Sequence, residues 1–213
     1  RIHPYIHCTP LMTSRAISEM VGAELVFKCE NFQKVGAFKF RGASNAVFSL
    51  AEEKMRNGVA THSSGNHAAA LALAASLRGI NAYIVMPSNS SKVKVAAVEH
   101  YKGIITFCEP TLQAREDTLA KVLLKTNATE IHPYNDYRII AGQATTAKEL
   151  IEDCRWVTGV IPINRNKRGL TQEISYQIDF FSRLRNHAID LAIDLRTGDR
   201  GAILTFLTGA SQR

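Results

Sequence analysis

The chain offers little to a disulfide framework or a metal centre. Its four cysteines, Cys8, Cys29, Cys108 and Cys154, are scattered, with no Cys-x-x-Cys pair and no histidine at metal-ligand spacing. Neither a disulfide scaffold nor a zinc site is expected from them. Long hydrophobic runs are missing as well. The longest strongly apolar stretch, 68–77, falls well short of the roughly 20 residues a membrane span needs, and no basic segment leads into an apolar one at the start. These absences predict a soluble, unsecreted protein of a reducing compartment, read as cytoplasmic, with no membrane partner. There is no internal repeat and no low-complexity linker, and 213 residues suffice for one large domain or two small ones.

The net charge of +7 is uneven, +3 over residues 1–153 and +4 over the shorter 154–213. The run Asn164-Arg165-Asn166-Lys167-Arg168 is basic enough to touch phosphate or nucleic acid, but a run this short reads first as a solvated loop. No RNA- or DNA-binding signature surrounds it, so nucleic acid is not the expected partner.

Short β-branched runs alternate with helical segments through the first three quarters of the chain, the pattern of an α/β protein with parallel sheets and flanking helices. Strands are expected over 25–29, 59–62, 82–86, 104–108 and 157–163, and helices over 39–51, 66–77, 93–101, 112–125 and 142–152. Pro87 ends one strand and Pro133 marks a turn. Beyond residue 153 the apolar positions Ile174, Ile178, Phe181, Leu184, Ala188, Leu191 and Leu195 recur at spacings of three and four, which predicts an amphipathic helix over 171–195. A short apolar run, 202–207, has the composition of a strand.

Two segments carry candidate chemistry. In Gln33-Lys34-Val35-Gly36-Ala37-Phe38-Lys39-Phe40-Arg41-Gly42, Lys39 sits between two phenylalanines and among small residues. A lysine with an ordinary pKa near 10.4 is a free amine in only about one molecule in two thousand at neutral pH. A reactive lysine must therefore be desolvated, and these neighbours are suited to that. Lys34 reads as a loop lysine. The plain alternative for Lys39 is a surface lysine at a helix start. The second segment, Ser63-Ser64-Gly65-Asn66-His67, falls between a strand and an Ala-rich helix, where open parallel sheets bind ligands and free helix N–H groups receive anions. The plain alternative there is that Ser63, Ser64 and Asn66 only cap the helix.

Six stretches occur in one order that resembles the fold-type II pyridoxal phosphate enzymes. They are Ile6-His7-Cys8-Thr9-Pro10-Leu11, Phe27-Lys28-Cys29-Glu30, 33–42, 61–70, 82–87, and His132-Pro133-Tyr134-Asn135-Asp136 with Ile140-Ala141-Gly142-Gln143. Within that family the chain is most similar to serine racemases of the plant type and to threonine dehydratases, over roughly 1–153. The resemblance implies a tryptophan-synthase-β-like fold truncated in its second half. A large cofactor domain would comprise 1–57 and 137–163, a small domain carrying the substrate loop 58–136, and a divergent tail 164–213. It implies pyridoxal 5'-phosphate as cofactor and serine or threonine as substrate, with homodimers as the complete family's assembly.

By the same resemblance Lys39 is the Schiff-base lysine and the base on one face of the substrate α-carbon, and Phe38 lies against the cofactor. Asn66 binds the cofactor's ring hydroxyl, and Ser63, Ser64, Gly65, Asn66 and His67 line the substrate. Ser64 is the acid/base on the opposite face, where plain threonine dehydratases typically carry alanine, so serine racemase with accompanying dehydratase activity ranks ahead of a dehydratase alone. The family's glycine-rich phosphate loop is replaced by Asn164-Arg165-Asn166-Lys167-Arg168-Gly169-Leu170, in which one glycine remains. Losing about three charge-assisted hydrogen bonds would remove about 5 kcal/mol of phosphate binding. Beyond this loop nothing resembles the family, and its divalent-metal carboxylates have no counterpart in the chain. A catalytically dead fragment is the remaining expectation.

Overall fold

The computed structural model describes residues 1–153, 178–180 and 182. The chain divides into two compact units, Arg1–Arg155 and Trp156–Arg213. Within the second, residues 178–180 and 182 are helical. The remaining positions of the helix expected over 171–195, the strands expected at 157–163 and 202–207, and the 164–170 loop lie outside the described residues.

The first unit opens with an antiparallel pair, β1 (Leu11–Thr13) and β2 (Val26–Lys28), registered Leu11 to Lys28 and Thr13 to Val26. Between them lies α1 (Arg15–Val21), whose Ser14 Oγ accepts the N–H of Ile17 and which Gly22 ends at φ 68°. Serine as N-cap and a left-handed glycine as C-cap are the local causes of so short a helix. Two 3-10 turns follow, Glu30–Phe32 and Lys34–Gly36. Then come α2 (Lys39–Phe48) and α3 (Glu52–Met55), where one helix was expected over 39–51.

The second half of the unit alternates regularly: β3 (Val59–His62), α4 (Asn66–Arg78), β4 (Ala82–Pro87), α5 (Lys92–His100), β5 (Ile104–Cys108), α6 (Leu112–Thr126), β6 (Thr129–Glu130) and α7 (Tyr137–Asp153). The strands β3 to β6 form one parallel sheet in the order β5-β4-β3-β6. The order runs outward from β3 to β5 and then returns to place β6 on the other side of β3. The carboxyl ends of β3 and β6 thus border a topological switch point, the crevice where parallel sheets take their ligands.

Side chains alternate across the sheet as strand geometry requires. Val59, Ile84 and Met86 face a cluster with Leu71, Phe40, Val47, Ile139 and the alanines of α4, while Ala60 and Val85 face Leu119 on α6. Alanines let α2 lie close on α4. Glycines do the same between α2 and α7: a Cβ on Gly142 would come within 2.5 Å of the Arg41 carbonyl, and one on Gly42 within 2.9 Å of the Ile139 carbonyl. Among the described residues no helix is long and apolar enough to cross a membrane.

Candidate active site

Lys39 is the first residue of α2 and is approached through a strained turn. Val35 is held at φ 58°, ψ 13°, an unfavourable place for a β-branched residue. Beside it Gln33, 3% exposed, clamps the N-terminal segment, its amide accepting from the N–H of His7 and donating to the carbonyl of the same residue. The Lys39 Nζ donates to the carbonyl of Pro133 at 3.1 Å and lies 5.3 Å from the centre of the Phe38 ring. Burial holds its ammonium below the ordinary lysine value, which is the requirement for a reactive amine. Phe40 does not share in this: it is fully buried in the core, and it is the Lys34 ammonium that lies over its ring.

Two residues further on, Arg41 fixes the helix. It is fully buried and bidentate to both Glu30, at 2.8 and 2.8 Å, and Glu149, at 2.6 and 2.8 Å. Lys28 pairs with Glu149 at 2.8 Å, and Thr9 donates to Glu30 at 2.6 Å. Two cations and two anions balance, and β2, the N-terminal segment, α2 and α7 meet there. Burial alone would raise the Glu149 carboxyl, but hydrogen bonds from Arg41 and Lys28 outweigh it and hold the group below its usual range. Burial likewise opposes the Arg41 charge, and its bonds to Glu149 and Glu30 outweigh that and raise its pKa.

The Ser63–His67 segment leaves the carboxyl end of β3 at the switch point. Its conformation disfavours the capping role: Gly65 occupies the N-cap of α4, and no side chain caps the helix. Ser63 Oγ accepts the Gly65 N–H at 3.3 Å, and the Ser63 N–H donates to Val85. Ser64 and Asn66 make no side-chain hydrogen bond among the described residues and are half-buried and exposed, respectively. An uncapped helix end with a hydroxyl and an amide beside it is an anion receptor. His67 differs from its neighbours: its ring points inward, 3% exposed, with Nε2 3.4 Å from the Ile131 carbonyl, so only its main chain faces the loop. Burial pushes its pKa down to about 4, and the charge of Lys39 contributes, so the two expected site residues lie within electrostatic reach.

Two residues of the site carried no role in the sequence reading. His62, 8% exposed, ends β3 with Nδ1 buried and unpartnered. Its ring meets that of His132 edge-on, 6.1 Å between centres. Burial, then Arg115 and His132, lower its pKa against the pull of Glu116 and Glu130. Only the parallel register of β3 and β6 brings His62 and His132 together, so no linear spacing signals the pair. Among the described residues no three His, Cys, Asp or Glu side chains are grouped to hold a metal ion.

Comparison with known proteins agrees with this arrangement. The family model of pyridoxal-phosphate dependent enzymes matches residues 2–162. The chain is 53% identical over 165 residues to the serine racemase of Arabidopsis thaliana, covering 77% of this chain and 50% of that protein. It is 53% identical over 161 residues to the beta-hydroxyaspartate dehydratase of Paracoccus denitrificans, covering 76% and 51%. The structure of maize serine racemase superposes with a TM-score of 0.73 at 51% identity over 74% of this chain and 48% of that one. The chain spans about half the length of the curated relatives it matches. The order of the parallel strands, the lysine at the head of α2 and the family match over three quarters of the sequence agree, and the chain belongs to the fold-type II pyridoxal-phosphate dependent enzymes, with serine racemases and a hydroxyaspartate dehydratase among its relatives.

Proposed function

We propose that residues 1–153 carry the lysine and substrate-carboxylate side of a pyridoxal phosphate site, and that its reaction is racemisation of serine with accompanying elimination from serine or threonine. The observation that carries the proposal is the Lys39 amine, lowered by burial and resting on Pro133 at the switch point. The free amide end of α4 and the unpartnered Ser64 and Asn66 side chains fit the same group and its substrate. Lys39 would hold the cofactor, Phe38 would lie against it and Asn66 would bind its ring hydroxyl. When bound, pyridoxal phosphate supplies the electron sink that acidifies the substrate α-carbon. Ser63, Gly65 and the main chain of His67 orient the substrate carboxylate at the helix end. Lys39 takes or returns the α-proton on one side and the Ser64 hydroxyl does so on the other. We assign 1–57 with 137–163 to a cofactor domain, 58–136 to a substrate-loop domain and a homodimer to the complete protein.

Serine turnover with added cofactor tests the assignment. In a version of the protein with an intact cofactor site, Ser64→Ala should abolish interconversion of the enantiomers while some elimination through Lys39 survives. Unchanged racemisation would remove Ser64 from the reaction. A second reading, an ammonia-lyase acting on a β-hydroxy amino acid, has the support of the 53% identical hydroxyaspartate dehydratase relative. Elimination without any racemisation in the unmodified protein would select it.

The sequence 164–170, with its one glycine, supports weak cofactor uptake by this chain and little turnover. Borohydride reduction in the presence of cofactor, followed by peptide mass spectrometry, should find selective but substoichiometric labelling at Lys39. Stoichiometric labelling at low cofactor concentration would refute the weak-uptake reading, and labelling spread over Lys34 and Lys54 would refute the site.

A further inference from the structure

The segment between β6 and α7 is held in four places, and the side chain of one of the holders has no part in the chemistry proposed above. The Ile131 N–H donates to the Ala60 carbonyl at 2.9 Å, extending the pairing of β6 with β3. His132 Nδ1 accepts the N–H groups of Asn135 at 2.9 Å and Tyr134 at 3.3 Å. Asp136 accepts from the Arg138 N–H and guanidinium. Between these points Pro133 presents its carbonyl to the Lys39 Nζ. The fourth holder is His67, whose Nε2 reaches the Ile131 carbonyl.

A carbonyl only accepts, so Nε2 carries the hydrogen and Nδ1 is the bare nitrogen. That Nδ1 is buried without a partner. A hydrocarbon side chain would fill the place without the unpaired Nδ1 but would leave the Ile131 carbonyl without its donor, so the ring's one hydrogen bond is what distinguishes histidine here. Burial first, and then the nearby Lys39, His132 and His62 that face it, keep the ring neutral. The Pro133 carbonyl lies two positions beyond the held carbonyl of Ile131, and proline's fixed φ makes the link stiff.

We infer that His67 is a positioning residue for Lys39: by holding the Ile131 carbonyl it sets the place of the Pro133 carbonyl on which the Lys39 amine rests. The inference relies on Lys39 being the reactive amine. Without the Nε2 donor the segment lifts, water reaches Nζ and the amine loses the desolvation that makes it reactive.

The test needs no turnover. The pH dependence of Lys39 acetylation in the full chain is followed by peptide mass spectrometry against Nα-acetyl-lysine in the same solution. In the unmodified protein Lys39 should react faster than the standard at pH 8, with a lower inflection. In His67→Leu, or in His67→Phe if the leucine variant does not fold, the advantage should fall severalfold toward the standard while circular dichroism stays native. His67→Gln, which keeps an N–H donor, should retain it. Folded donor-free variants with an unchanged Lys39 curve overturn the inference, as does equal loss in the glutamine variant. The unmodified chain gives an independent check, because the ε-carbon resonance of Lys39 should show a second inflection where His67 titrates, near pH 4. No shared inflection counts against His67. A Lys39 that reacts like the standard in the unmodified protein instead overturns the assignment of the reactive amine itself, and with it this inference.

Discussion

Two buried polar groups flank Lys39, and they are built on opposite rules. Around Arg41 the guanidinium is met by two carboxylates, a threonine and a main-chain carbonyl. Around the end of β3, by contrast, the Nδ1 atoms of His62 and His67 and the Oγ1 of Thr61 are buried with no partner. A satisfied network specifies one arrangement and resists change, whereas unsatisfied buried polar atoms cost stability and gather at sites of function. The head of α2 is thereby anchored from the Arg41 side, while the histidine side keeps buried atoms without partners.

Removing Arg41 should have the largest effect. Arg41→Leu removes the guanidinium shared by Glu30 and Glu149, which are only 14% and 18% exposed, and leaves them Thr9 and Lys28; it should cost about 3–5 kcal/mol in urea unfolding at pH 7. A loss under about 1 kcal/mol would mean that water replaces the guanidinium and that the contrast fails.

Acid separates the two groups next. The His67 pKa is depressed from 6.5 to about 4, so its contribution is complete above pH 6.5 and is lost as pH falls to 4, about 3 kcal/mol in all. Glu149 is also depressed, from 4.5, so its contribution is present above that value and lost only in stronger acid. Stability should therefore decline in two stages, and His67→Gln should reduce the first, which the lowered His62 shares, and spare the second. One undivided decline in both proteins would contradict the assignment.

Gly142→Ala drives a methyl into the Arg41 carbonyl at 2.5 Å and should cost about 2 kcal/mol, read as a lower urea midpoint. Smallest and most diagnostic is a matched pair of Thr→Val changes. Thr145 accepts from Arg41 and donates to the Gly142 carbonyl, so Thr145→Val should lose about 1 kcal/mol. Thr61→Val removes an unpaired hydroxyl and should be neutral or gain up to about 1 kcal/mol. Equal losses at both would erase the distinction.

The sheet was legible because its strands are short runs of β-branched and apolar residues between helical segments: β3 and β5 have the expected ends, and β4 runs one residue further, to Pro87. Helix α7 begins at Tyr137, five residues before the expected start. Ile139 and Ile140 lower helix propensity there, and the Asp136 carboxylate that accepts the Arg138 N–H was not read as a helix start. Helix α1 was missed because it buries no residue and so shows no apolar periodicity, although Ser14 and Gly22 mark both its ends. At the site, the lysine and the loop were readable as contiguous segments. The Arg41–Glu149 pair, separated by 108 positions, and the inward turn of His67 arise from packing, which leaves no trace in spacing. Phe40 shows the limit from the other side, since adjacency counted it among the residues suited to desolvate Lys39 and helical geometry buries it in the core instead.

The Lys39 to Pro133 contact spans 94 positions, and this sets a timetable for the chain as it leaves the ribosome. Until Pro133 has emerged and β6 has seated on β3, nothing shields the Lys39 amine, which stays protonated and solvated like any other lysine. The desolvation of Lys39 is therefore complete only once β6 has seated on β3 and brought Pro133 to it.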